Sequence, residues 1–81
     1  MNLLIKEYIK NLTEEDINNF ALKEGIKLLD SETKTIYLYL KNYWEVFLKE
    51  DSTYLFEELK ESLRKETYDK LIELYNKYKK K

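Results

Sequence analysis

Residues 33–48 read TKTIYLYLKNYWEVFL. The run holds Ile36, Tyr37, Leu38, Tyr39, Leu40, Tyr43, Trp44, Val46, Phe47 and Leu48, with the only Trp of the chain. On an α-helix each residue advances about 100°. Thr33, Ile36, Leu40, Tyr43, Trp44 and Phe47 then share one sector, as a core-facing helix requires. Leu38 falls near the opposite side, and Tyr39 and Val46 fall on a flank. A helix that is apolar nearly all round is either enclosed or carries a second contact face. Asn42 opens two readings. Either Lys41-Asn42 ends the helix and Tyr43–Leu48 is a short connector, or the helix runs on, since the stripe keeps its phase.

Upstream, Asn2 to Asn11 reads as a short helix with Leu4, Ile5, Tyr8, Ile9 and Leu12 on one side. Thr13-Glu14-Glu15-Asp16 then opens a second. A capping hydroxyl stands three residues before an acid, and acids fill the first turn, where the helix dipole favours them. Ile17, Phe20 and Ala21 are its expected inner face. Gly25, the single glycine, sits where a left-handed residue closes a helix, with Ile26 as the hydrophobic contact that follows. Asp30-Ser31-Glu32 starts the central helix.

Downstream, Asp51 or Ser52 is the expected cap of a helix whose stripe is Leu55, Phe56, Leu59 and Leu63. The stripe loses phase beyond Leu63. Tyr68, Leu71, Ile72, Leu74, Tyr75 and Tyr78 form a face of their own, so a break near Arg64 to Thr67 and a last helix from about Glu66 to Lys79 follow. No alternating strand pattern competes. The expected fold class is all-α: a compact bundle of four to five short helices in a single domain, 1–81, with Lys79, Lys80 and Lys81 fraying at the end.

Composition bounds the chemistry. With no His and no Cys, a His-centred triad, a thiol nucleophile, a disulfide and an ordinary zinc site are excluded. One glycine cannot build a phosphate-cradling loop. Glu14, Glu15 and Asp16 are explained by helix electrostatics. Glu57, Glu58 and Glu61 alternate with Lys60 as on a solvated face. Glu50 and Asp51 come nearest to a hard-cation site, and no metal, cofactor or catalytic residue is assigned. The expectation is a non-enzymatic protein. No apolar run reaches the ~20 residues of a membrane span, and MNLLIKEYIKN places charge too early for a signal peptide. A cytoplasmic location without a membrane partner is expected.

Eight tyrosines are the compositional anomaly. Most suit a core edge, with the ring buried and the hydroxyl wet. Tyr39, Tyr54 and Tyr78 fall off the stripes and suit a contact surface. The expected function is therefore binding to another protein, or to itself as a homodimer, through an aromatic patch at Leu38, Tyr39, Tyr43, Trp44 and Val46. Acidic residues between 50 and 61 would steer a basic partner.

The alternative partner is nucleic acid. Thr13–Lys23, the Gly25 turn and Ser31–Lys41 have a helix–turn–helix outline. Lys34 and Lys41, with Lys70, Lys77 and Lys79 of the basic tail, would meet phosphates. The formal net charge of −1 gives this no global support. Residues 28–63 hold eight acids against four lysines, and residues 64–81 hold seven bases against three acids.

The order LTEEDINNFALKEGIKL, SETKTIYLYLKN, a VF-centred connector, YLFEELKESL and ETYDKLIELYNKY resembles a short helical domain-of-unknown-function family of Bacillus-type bacteria. The resemblance covers about residues 3–78. It rests on capping signals and apolar stripes. Lys65-Glu66-Thr67 stands where that family has Pro-Glu-Thr. It implies a cytoplasmic, all-helical, non-enzymatic protein with Tyr43–Leu48 as a connector, and it supplies no functional residues.

Overall fold

Thr13 sets the first well-marked boundary of the fold. Its Oγ1 accepts from the Asp16 amide at 3.1 Å, and Asp16 Oδ2 accepts from the Thr13 amide at 3.0 Å. This is the reciprocal capping box that the spacing implies. The computed structural model describes residues 3–48 and 52–79, and within them the side chains of 6–47 and 52–77. The described residues form five α-helices and no strand: α1 Leu3–Lys10, α2 Glu14–Lys23, α3 Asp30–Leu48, α4 Thr53–Ser62 and α5 Lys65–Lys79. The all-α class is as expected. Contacts group the chain into two units, Met1–Trp44 and Glu45–Lys81.

In the first unit, α2 ends as its sequence requires. The Ile26 amide donates to the Ala21 carbonyl at 2.9 Å and the Gly25 amide to that of Leu22 at 3.1 Å. These are the two bonds of a Schellman closure, with Gly25 at φ +93°. Ile9, Leu12 and Ile17 form the buried cluster. Leu28, Ile36, Tyr37, Leu40 and Trp44 pack against it. Two expected inner residues point elsewhere. Tyr8 is 65% exposed and Phe20 41% exposed. A core this small takes only part of each apolar sector, Ile9 on α1 and the Ile17–Ala21 pair on α2, and leaves the two rings outside.

The start of α3 is tied by Glu32. Its Oε1 accepts from the Leu29 amide at 3.0 Å, and the side chain is 1% exposed. The N-terminal dipole favours a carboxylate there. The stripe then holds from Thr33 through Leu40. At Tyr43 the backbone leaves helical values, φ −129° and ψ +18°, and helical hydrogen bonding resumes to Leu48. The outcome lies between the two readings. Tyr43–Leu48 is helical and no connector, yet the helix is kinked one residue beyond Asn42. Tyr43 thereby leaves the inner stripe and is exposed.

The second unit is built on α4. Leu55, Phe56, Leu59 and Leu63 are all buried, as their spacing implies. Burying a leucine fully is worth about 2 kcal/mol. Phe47 meets Phe56 edge-on at 5.3 Å between centroids, and Phe56 meets Tyr75 at 4.7 Å, the tilted arrangement that ring quadrupoles favour. Ser52 occupies the N-cap of α4 but makes no side-chain capping bond. Its hydroxyl lies 3.4 Å from that of Tyr75, which donates to the Phe47 carbonyl at 2.8 Å. Asp51, the other expected cap, lies outside the described residues. On α5, Lys65 reaches Asp69 at 2.9 Å; that hydrogen bond and the carboxylate charge hold the amine above its usual pKa. Both groups are solvated, so the pair adds little stability.

Two substitutions test this account by urea denaturation. Gly25→Ala should lower stability by about 1 kcal/mol, because a Cβ there meets nothing within 4 Å and the cost is backbone strain alone. Gly25→Asn should cost less. Thr67 is 2% exposed and its hydroxyl has no hydrogen-bond partner. Thr67→Val should therefore raise stability, by about 1 kcal/mol, through removal of an unmatched buried hydroxyl.

Candidate binding face on α3

From residue 31 to residue 42 α3 is regular, so its faces can be assigned by angle. Thr33, Ile36, Tyr37, Leu40 and Trp44 look inward. Thr33 is buried, and the other four pack against the core cluster. Ser31, Thr35, Leu38, Tyr39 and Asn42 occupy the opposite sector. Ser31, Leu38 and Asn42 are exposed, and Thr35 and Tyr39 are half-buried. Leu38 is 55% exposed and Tyr43 39%. The Tyr39 and Tyr43 rings lean on each other, 5.5 Å between centroids and tilted by 43°. The kink that removes Tyr43 from the core thus delivers its ring to Tyr39.

Two polar contacts hold this orientation. Near the start of α3 the Thr33 hydroxyl donates to Asn18 Oδ1 on α2 at 2.6 Å. Two turns later Lys41 Nζ donates to the carbonyls of Ile9 and Lys10, both at 2.8 Å. Those carbonyls belong to the last turn of α1, which carries partial negative charge; that of Ile9 also accepts from the Leu12 amide at 3.1 Å. The same ammonium lies 5.4 Å from the Tyr37 ring centroid, within cation–π range. Lys41 closes α1, a role that sequence spacing does not reveal.

Of the five aromatic and apolar candidates, Leu38 and Tyr43 are exposed and Tyr39 is half-buried; the two rings are in contact, and Leu38 lies about 100° round α3 from Tyr39. Trp44 faces the core of the first unit. Val46 is a half-buried residue of the second unit. Tyr54 is exposed on α4, and the side chain of Tyr78 lies outside the described residues. Tyr8, Phe20, Leu22 and Leu29 are further exposed apolar residues of the first unit. Phe20 and Leu22 border a shallow, open depression with Asp16, Asn19 and Lys23.

Three of the five phosphate-binding candidates have partners within the chain. Lys34 sits 3.6 Å from Glu14, Lys41 caps α1, and Lys70 sits 3.5 Å from Glu73. Lys77 is exposed on α5, and the side chain of Lys79 lies outside the described residues, as do Glu50 and the last two lysines. Among the described residues no helix is long and apolar enough to cross a membrane. Comparison with models of known families, with curated proteins and with solved structures finds no match to this chain.

Lys41→Met keeps most of the aliphatic stem and removes both bonds to α1. It should lower the unfolding free energy by about 1–2 kcal/mol, the value of charge-assisted hydrogen bonds discounted for partial exposure. A lysine reserved for phosphate would leave urea stability unchanged on substitution.

Proposed function

We propose that this chain is a helical binding module of the cytoplasm, without catalysis of its own, that docks another protein or a second copy of itself through the outer face of α3. The observation that carries the reading is the exposure of Leu38 beside the Tyr39–Tyr43 ring pair on a helix whose opposite face already fills a core. Apolar residues scattered singly over a surface are ordinary. Leu38 and the Tyr39–Tyr43 ring pair together present more apolar surface than a single scattered side chain, and larger apolar areas on small domains mark partner sites. Tyrosine suits the task because it contributes much area with few rotatable bonds and keeps a polar tip in water. Lys41 is bonded to α1 and Lys34 is paired with Glu14, so the two α3 cations that the nucleic-acid alternative needs already have partners within the chain.

A photoreactive phenylalanine analogue placed at Leu38 tests the docking role. Irradiation in the native cell should give a discrete adduct, lost when Tyr43→Lys is added. The same analogue at exposed Glu57 on α4 should give none. Absence of any adduct at position 38 overturns the reading.

A further inference from the structure

We draw no further inference here: the strongest candidate, the outward stripe of α4 that carries exposed Tyr54, Glu57 and Glu61, is a cluster of acids beside one ring, and nothing in the structure shows what covers it.

Discussion

The rotation of α3 about its own axis decides what this chain buries and what it shows to solvent. Hydrophobic burial alone is a poor guide to that rotation. It is non-directional and scales with area, and α3 has apolar side chains on two opposed faces. Ile36, Tyr37, Leu40 and Trp44 lie on one side, and Leu38 and Tyr39 on the other. Two directional contacts make the choice. The Thr33 hydroxyl reaches Asn18 at 2.6 Å, and Lys41 reaches two carbonyls of α1 at 2.8 Å. They stand about two turns apart, so the helix is fixed at both ends of its inner stripe. Turning α3 over would break both contacts and take the ammonium from the carbonyls of Ile9 and Lys10, leaving Ile9 with the Leu12 amide alone, a loss that equal burial of Leu38 and Tyr39 would not offset.

The kink at Tyr43 belongs to the same scheme. A regular helix would place the Tyr43 ring on the boundary of the inner sector. The change in φ and ψ at that residue instead leaves it 39% exposed and against Tyr39. In the second unit a directional contact again fixes aromatic packing. Tyr75 lays its ring on Phe56 and donates its hydroxyl to the Phe47 carbonyl. A buried phenol needs such a partner, and satisfying it sets the direction of the ring. In both units, apolar area supplies the driving force and polar side chains supply the orientation, Thr33 and Lys41 on α3 and Tyr75 on α5.

This division explains what could be read from the chain beforehand. The Thr13–Asp16 capping box, the Gly25 closure and the α4 stripe are local patterns, complete within one or two turns, and all three form as the spacing implies. Leu38 also stands where its angle places it. The exceptions all depend on neighbours distant in sequence. Phe20 and Tyr8 both belong to the apolar sectors of their helices, and the small size of the core leaves them out. Ser52 has the chemistry of a cap, yet its hydroxyl turns toward Tyr75, 23 residues on. Lys41 looks like any phosphate-seeking lysine until α1 is laid beside it. The Tyr43 kink occurs without Gly or Pro; Asn42 marks a break at this point, and only the fold shows that helical bonding resumes beyond it.

The cations of the first unit bear on how its exposed face can select a partner. Lys41 is directed at backbone carbonyls, and Lys34 at Glu14. Ser31, Thr35, Leu38, Tyr39 and Asn42 carry no charge, and exposed Lys34 stands one turn from Leu38. Under the docking role proposed above, recognition at the uncharged residues would come from shape, ring contact and hydrogen bonds at Thr35 and Asn42. Such association has little electrostatic steering, so it is slow to form compared with charge-guided encounters and nearly indifferent to ionic strength. Contacts to phosphate behave in the opposite way, weakening by orders of magnitude over a modest rise in salt. Lys41 keeps its charge while bonded to neutral carbonyls, so what its inward commitment contributes is the closure of α1.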